Sequence, residues 1–256
     1  MHPAVRELKN IEGRFFATFD TWLGLMLAAF SRDDPAYLKL LEPYGPRVHG
    51  KPHAADHFAH ALGAIHAEMR QDNERGVIRD HLGEIYEAEG GADKDMAQFF
   101  TPMPLCEMMA RMTLDDTVPE DARIADPACG SGRMLMACVP LRPRGYFFGV
   151  DKDPTCAKMA ALNMLWRNVD SDIVWGDCLR LKAHGGWMTH RTALGGVVAP
   201  FGPERAQALL EASVGANADM RPSPAAKPVQ NSLQETETGV QATIIIPKRG
   251  QFEMDV

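Results

Sequence analysis

The feature that most constrains the fold is the segment Asp126-Pro-Ala-Cys-Gly-Ser-Gly132, which stands between a short apolar run and a helical pattern. Glycines at a strand-to-helix turn let the backbone pass close to a ligand, and the N–H groups at the start of the helix can donate hydrogen bonds to it. The segment holds a single G-x-G, so it does not meet the dinucleotide fingerprint G-x-G-x-x-G. It therefore predicts a ligand-binding turn of another class.

Short apolar runs alternate with helical patterns from Ala122 onward and place this segment in a larger unit. Strands separated by helices of roughly 10 to 15 residues indicate βαβ units and a parallel sheet. The predicted strands are Arg123–Ala125, Tyr146–Val150, Ile173–Trp175 and Gly195–Val198, and the predicted helices are Gly132–Val139, Pro154–Asn168 and Glu204–Ser213. The expected fold class is α/β.

Three successive predicted strands end in an aspartate, at Asp126, Asp151 and Asp177. The carboxyl ends of parallel strands share one edge of a sheet, where open α/β sheets bind ligands, and a carboxylate at the second strand end can accept both hydroxyl groups of a ribose. Each aspartate alone also fits an ordinary strand end or helix cap. Together they predict a crevice for a nucleotide-like ligand.

The segments before and after this core have other hydrophobic patterns. Arg14–Phe30 and Ala54–Arg70 carry apolar residues at steps of three and four, which predicts helices. Asn217–Gln241 has too few large apolar residues to offset the entropy of ordering, whereas Ala242–Pro247 holds a short β-branched run that could complete the sheet. We expect a helical N-terminal region over residues 1–80, a core over 81–215 and a mostly disordered tail over 216–256 with one short strand.

Composition excludes several classes of protein. The chain has 256 residues, a formal net charge of −7 and five cysteines. Its best membrane candidate, Trp22–Phe30, is too short to span a bilayer, and Met1–Lys9 lacks the order of a signal peptide, so we expect a cytoplasmic protein without a membrane segment. The odd cysteine count without C-x-x-C argues against a disulfide framework and a thiolate zinc site. The acidic balance means that nucleic-acid binding would need a local basic face or a partner subunit.

The segment Asp126–Gly132 resembles the D-P-x-C-G-S-G loop of S-adenosylmethionine-dependent adenine-N6 DNA methyltransferases, especially the modification subunits of type I restriction systems. Four further segments resemble that family in the same order. They are Leu82–Glu87 and Gln98–Pro102 upstream of the loop, and Gly149–Pro154 and Gly176-Asp177 downstream of it. The resemblance therefore spans residues 82 to about 177.

This resemblance implies a Rossmann-like methyltransferase sheet, which could be incomplete in this chain, and S-adenosyl-L-methionine as the cofactor. It implies that Asp126 and Gly130 meet the amino-acid end of the cofactor, Asp151 its ribose, and Asp177 its adenine amino group. The other implied cofactor residues are Phe100, Thr101 and Pro102 over the methionine, Pro127, Ala128, Cys129, Ser131 and Gly132 in the loop, Lys152 and Pro154 at the adenine face, and Cys178 beside Asp177.

The family transfers the methyl group through an N-P-P-F/Y element at the fourth strand end, and no such tetrad occurs in this sequence. The nearest fit is Val198-Ala-Pro-Phe-Gly202, in which Pro200 and Phe201 are the candidate catalytic residues. Val198 stands where the family has Asn or Asp, and valine offers no hydrogen-bond acceptor to orient an amine. The alternative is that this segment is merely a strand-end turn.

Two further groups of residues have the chemistry of a metal site or of a nucleophile. His53, His57 and His60 share one stripe of a predicted helix, as metal ligands would, but without a further ligand nearby ordinary surface histidines are favoured and no metal site is predicted. Cys129 could be a nucleophile, yet the family commonly has a cysteine there without covalent chemistry. Packing under the ligand is the better interpretation.

The resulting hypothesis is an adenine-N6 DNA methyltransferase, impaired or dependent on a partner. The alternatives are a catalytically inactive module that binds S-adenosylmethionine or a partner, and, more remotely, an RNA or protein methyltransferase. The chain is short for a self-sufficient DNA methyltransferase. We therefore expect DNA as the partner with the help of another subunit, in a homo- or hetero-oligomer.

Overall fold

The structure, a computed structural model, describes residues 1–90 and 100–214, which form helices around one five-stranded sheet. The helices are α1 (Pro3–Lys9), α2 (Phe15–Ser31), α3 (Asp34–Leu41), α4 (Ala54–Glu74), α5 (His81–Ala88), α6 (Met103–Thr113), α7 (Arg133–Cys138), α8 (Pro154–Trp166) and α9 (Pro203–Val214), with a 3-10 turn at Glu42–Tyr44. The strands are β1 (Arg123–Asp126), β2 (Tyr146–Asp151), β3 (Asp170–Asp177), β4 (Lys182–His190) and β5 (Val197–Phe201).

The sheet is mixed, in the order β1-β2-β3-β4-β5. The parallel pairing predicted from the sequence is confirmed for β1, β2 and β3, but it is wrong for the fourth predicted strand, β5, which pairs antiparallel with the unpredicted β4. β4 is in turn antiparallel to β3. The cause is the link Cys178–Leu181 between β3 and β4, because a parallel connection needs a crossover of a dozen or more residues. Sequence reasoning missed β4, whose Gly185 and Gly186 weaken its strand pattern, and it placed β5 two residues early.

All the predicted site strands end at one edge of the sheet. β5 runs in the same direction as β3, because each of them is antiparallel to β4. Asp126, Asp151, Asp177 and Phe201 therefore terminate their strands on the same side, which we call the carboxyl edge.

Helices cover both faces of the sheet. Ile173 points toward α2 and α8 in the larger hydrophobic cluster, whereas its neighbour Val174 points toward α9 in a smaller one. The larger cluster also contains Phe19 and Trp22 of α2, so the N-terminal helices and the sheet share one core. The proposed boundary between residues 80 and 81 stays a prediction, and the tail over 216–256 lies outside the described residues.

Local sequence explains how α8 is placed against the sheet. It begins at Pro154, where a missing N–H costs nothing, and the Asp153 side chain accepts the N–H of Thr155 at 2.8 Å. Its Lys158 Nζ lies 2.8 Å from both carboxylate oxygens of Asp20 on α2. Among the described residues, no helix is long and apolar enough to cross a membrane.

Candidate functional site

The loop that follows β1, residues 126–132, is bound to the neighbouring strand and helix. The Cys129 N–H donates to the Val150 carbonyl of β2 at 2.9 Å. Gly130 and Gly132 have φ of +54° and +89°, a conformation that residues with a side chain rarely adopt. A Cβ on Gly132 would lie 3.3 Å from the backbone Cα of Ala160, so this glycine lets the loop pack directly on α8. We call these seven residues the Asp126 loop.

Asp151 connects the Asp126 loop to the end of β2. Its Oδ2 accepts the N–H of Gly130 at 2.7 Å, and its Oδ1 accepts the N–H of Asp153 at 2.9 Å. A carboxylate has about four acceptor positions, so each oxygen keeps one for a ligand hydroxyl. Burial raises the pKa of Asp151, although these two N–H groups act in the opposite direction.

Asp126 is the last residue of β1 and the first residue of the loop. Its Oδ1 accepts the N–H of Ala128 at 3.1 Å, and burial raises the pKa of its carboxyl group. Pro127 and Ala128 are exposed, whereas Ser131 and Gly132 are buried. The first half of the loop is therefore accessible to a ligand, and the second half anchors it.

The anchor is Asp80, a fully buried residue that sequence reasoning missed. Its carboxylate accepts hydrogen bonds from the Ser131 hydroxyl at 2.5 Å and from Arg133 Nε at 2.7 Å. It also accepts the Asn163 amide of α8 and the Gly83 N–H of α5, each at 2.9 Å. The sequence offers only a weak signal for it, an aspartate before a helical run, because three of its four partners lie more than 50 residues away along the chain.

Phe100 lies with its ring against Gly130 of the Asp126 loop. Its N–H donates to Glu87 Oε1 at 3.1 Å, and the Arg133 guanidinium lies 5.2 Å from its ring centroid. A Cβ on Gly130 would come within 2.9 Å of that ring, so only glycine allows this approach. Thr101 and Pro102 follow, and Pro102 caps α6. Gln98 and Phe99 of the same sequence motif lie outside the described residues.

Asp177 holds the turn between β3 and β4. Its Oδ1 accepts the N–H groups of Leu179 and Arg180 at 3.1 and 3.0 Å, and its Oδ2 lies 3.7 Å from Lys152 Nζ. The Arg180 N–H is the main reason that the pKa of Asp177 is lowered. The adjacent Cys178 is half-buried and packs on the α9 side of the sheet. A ligand contact by either residue stays a prediction.

An aromatic cavity of about 420 Å³ opens near the ends of β3, β4 and β5. Its lining residues are Pro154, Lys158, Trp175, His184, Gly185, Gly186, Trp187, Pro200 and Phe201. The Trp175 and His184 rings lie 4.7 Å apart at 34°. The structure thus brings Pro200 and Phe201 to a cavity, but Val198 is 6% exposed and packs in the core instead. Pro154, which is the first residue of α8 and one of the predicted cofactor residues, also lines this cavity.

A group of basic side chains surrounds Asp177 at the carboxyl edge. Lys152 and Arg180 are 65% and 79% exposed, and Lys182 at the start of β4 is exposed as well. They give a chain of net charge −7 a local basic face, as nucleic-acid binding by an acidic chain requires.

The histidine stripe and Cys129 have structural partners. His53 caps α4 through the Ala55 N–H at 3.1 Å, and His57 Nδ1 lies 2.8 Å from Glu7. His60 is 70% exposed and 3.8 Å from the same glutamate. Burial raises the pKa of Cys129 well above its ordinary value, so the thiol stays protonated and is a poor nucleophile at neutral pH.

β1, the glycine-containing Asp126 loop and α7, with Asp151 of β2 bound to the loop, define a Rossmann-like α/β protein. The sequence profile of the N-6 DNA methylase family matches residues 77–206, just over half of the 256 residues. The chain belongs to this family of DNA methyltransferases, and membership implies an S-adenosylmethionine methyl donor.

Two curated relatives are methylase subunits. The type I restriction enzyme MpnII methylase subunit of Mycoplasma pneumoniae is 28% identical over 126 residues, which cover 43% of this chain and 22% of the relative. The type I restriction enzyme HindI methylase subunit of Haemophilus influenzae is 32% identical over 109 residues, which cover 37% of this chain and 23% of the relative. The match thus spans less than a quarter of either relative. No solved structure matches the chain.

Proposed function

We propose that this chain binds S-adenosylmethionine at the Asp126 loop and transfers its methyl group to N6 of adenine in DNA, together with a partner subunit. The observation that carries the proposal is the geometry of Asp151, whose carboxylate fixes Gly130 and still keeps acceptor positions for ligand hydroxyls. The proposal is also supported by the membership of the chain in the N-6 DNA methylase family.

The residues at the loop fit the parts of this cofactor. Asp126 and Gly130 would meet its amino-acid end, and Asp151 would accept both ribose hydroxyls. The remaining contacts would come from Phe100, Thr101 and Pro102 at the methionine, Pro127, Ala128, Cys129, Ser131 and Gly132 along the loop, and Lys152, Pro154, Asp177 and Cys178 around the adenine. The bound cofactor supplies an electrophilic methyl group, and the protein's part is to hold donor and acceptor in line.

The aromatic cavity would receive the target base once it is turned out of the duplex. Phe201 and Trp175 present aromatic rings there, and stacking of a base on such a ring contributes about 1–3 kcal/mol. Pro200 would border the reacting amine. Because Val198 lies in the core, the amine receives no side-chain acceptor from that position, and orientation rests on stacking and backbone carbonyls.

Dependence on a partner follows from charge and from the relatives. The basic face holds only a few side chains on a chain of net charge −7, which favours weak DNA binding alone. The matched relatives are themselves named as subunits of restriction enzymes.

Calorimetric titration with S-adenosylmethionine tests the proposed site. We expect the wild-type chain to bind, and Asp151→Asn to weaken binding at least about tenfold, the loss of one charge-assisted hydrogen-bond pair. Asp115→Asn is the matched control, because its carboxylate also accepts a backbone N–H, that of Thr117 at 2.9 Å, but in an exposed turn before β1. Absence of binding by the wild-type chain would refute the proposal.

A non-catalytic cofactor-binding module is the second candidate, and the burial of Val198 favours it. Transfer of a labelled methyl group to adenine-containing DNA separates the two. Transfer that is lost in Asp151→Asn supports the enzyme. Cofactor binding without transfer, with and without a partner subunit, supports the module.

A further inference from the structure

A cluster of histidine and carboxylate side chains lies at the junction of α1, α4 and α5. His2 caps the start of α1, Glu68 and Asp72 lie one turn apart on α4, and His81 is the first residue of α5. His2 Nε2 is 2.9 Å from Glu68 Oε2, and His81 Nδ1 is 3.4 Å from the same oxygen. Ligand atoms of His2, Glu68 and His81 all lie within 4.8 Å of one another.

The polar atoms of this cluster are buried without adequate hydrogen bonds. In the described part of the chain, five buried side-chain nitrogen or oxygen atoms have no hydrogen-bond partner, and three of them are His2 Nε2, His81 Nδ1 and Asp72 Oδ2. The carboxylate oxygens are near, but not in directions that form hydrogen bonds. A buried polar atom without a hydrogen-bond partner destabilises the fold, so the concentration of three such atoms at one point indicates that a ligand belongs there.

The donor set has the chemistry of a zinc site. His2 Nε2 and His81 Nδ1 both face Glu68 Oε2, so two imidazole nitrogens and one carboxylate oxygen converge on one point. Neutral imidazole nitrogens and a carboxylate are typical zinc ligands, with bonds of about 2.0–2.2 Å. Tetrahedral ligands at such distances lie roughly 3.3 Å apart, which small rotations of the three side chains would reach.

Asp72 occupies the position of a supporting residue. Its Oδ2 is 3.0 Å from His81 Nε2, whereas Glu68 lies at His81 Nδ1. Asp72 Oδ2 is not aligned for a hydrogen bond to this nitrogen, but a small rotation of the carboxylate would let it accept the Nε2–H. A carboxylate in that position fixes the tautomer of a metal-binding histidine. Arg79 also approaches Glu68, with its Nη1 3.9 Å from Glu68 Oε2. Its closer partner is Glu84, whose Oε2 lies 2.7 Å from Arg79 Nη2, so Glu68 stays available to an ion.

We propose that His2, Glu68 and His81 bind a zinc ion, with Asp72 orienting His81. The ion joins three helices at the first residue of α5, directly beside the anchor Asp80. Binding has one structural consequence at His2. Its Nδ1 accepts the Ala4 N–H at 3.1 Å, and coordination through Nε2 places the ring proton on Nδ1, so that hydrogen bond must break.

Zinc titration of the tag-free full chain, stripped with a chelator, tests the site. We expect one zinc per chain, a higher melting temperature with zinc, and a shift of the Ala4 amide resonance. Asp72→Asn should weaken zinc binding about 10- to 100-fold, and Glu68→Gln and His81→Gln at least as much. His2→Gln gives a further variant that leaves the side chains of α4 and α5 unchanged, and its melting temperature without zinc measures the loss of the α1 cap.

His57→Gln is the matched control, since His57 forms a histidine–carboxylate pair with Glu7 outside the cluster. It should bind zinc as the wild type does. The proposal is overturned if the wild-type chain binds no stoichiometric zinc, or if His2→Gln and His81→Gln bind zinc as tightly as the wild type does. It is also overturned if zinc leaves the Ala4 amide resonance unchanged, or if His57→Gln is the variant that loses zinc.

Discussion

Asp80 is the residue on which the geometry of the loop most depends, because one fully buried carboxylate accepts bonds from α5, from the loop region and from α8. We expect Asp80→Ala to lower the free energy of unfolding by about 3 kcal/mol, since the buried Arg133 keeps only the partly exposed Glu87, at 2.7 Å, as a counter-charge. The Ser131 hydroxyl and the Asn163 amide also lose a buried acceptor. Urea unfolding measures this loss.

Asp56→Ala is the control for Asp80→Ala. Asp56 also pairs with an arginine, Arg47 at 2.7 Å, but on the surface, and it caps α4. Its loss should cost much less stability than the loss of Asp80, because an exposed ion pair contributes little. Equal losses in the two variants would show that Asp80 is not the anchor we describe.

At the proposed cofactor site, the raised pKa of Asp151 should make the affinity for S-adenosylmethionine depend on pH. The ribose hydroxyls would donate to the ionised carboxylate, so the affinity should fall as pH decreases through that pKa, which lies above the value of about 3.9 of an ordinary aspartate. In the cofactor-free chain the sign is opposite. There the contribution of Asp151 to stability is present below its unfolded-state pKa and is lost as pH rises through the folded one.

Calorimetry with S-adenosylmethionine from neutral pH downward, within the range where the chain stays folded, measures this dependence. Asp151→Asn should bind more weakly and should lose the pH step. A step of the same size in both proteins would assign it to another group, such as Asp126 with its own raised pKa.

At the scale of elements, the turn between β3 and β4 carries the basic face. Neutralising Arg180 and Lys182 together by Gln substitutions should weaken DNA binding and make the slope of log K against log salt shallower by up to about 2. Fluorescence anisotropy of a labelled oligonucleotide at several salt concentrations measures both quantities.

The matched control is the pair Lys39→Gln and Lys51→Gln, two exposed lysines of the N-terminal region. It changes net charge by the same amount away from the carboxyl edge. If it reduces the slope as much as the turn variant does, binding follows overall charge and not the basic face.

The elements that sequence predicted well are those with a local signal. β1, β2 and β3 are short runs that each end in aspartate, and the start of α8 is marked by the N-cap Asp153 followed by Pro154. The hairpin of β4 and β5 was not predictable in the same way, because glycines interrupt its pattern and its pairing is set by the length of a turn. The Asp80 contacts and the aromatic cavity join residues far apart in the chain, which no local pattern encodes.

At the scale of the whole molecule, the N-terminal helices and the sheet depend on one core. α2 packs against α8 and β5, and the Trp22 indole N–H donates to the Phe58 carbonyl at 3.0 Å within that core. We therefore expect a chain of residues 81–256 to lose cooperative unfolding and near-ultraviolet circular dichroism, because it exposes the apolar side of α8.

A chain that ends at Val214 is the matched control, since residues 1–214 contain every contact described here. It should unfold cooperatively. If residues 81–256 alone fold and bind cofactor, then the boundary near residue 80 separates independent domains and the shared core is not essential.

β1 has four residues and pairs, among the described strands, with β2 alone. Such a short edge strand contributes few ladder bonds, so Ser131, in the second half of the Asp126 loop, takes its position from Asp80 and Asn163 on the helices behind it. A brief undocking of α5 would release this half of the loop, while the bonds of Cys129 and Gly130 to β2 and the sheet itself stay intact. Amide exchange at Ser131 and Gly132 should accordingly follow the opening of α5, and the proposed cofactor site would open through a local fluctuation with a free energy below that of global unfolding.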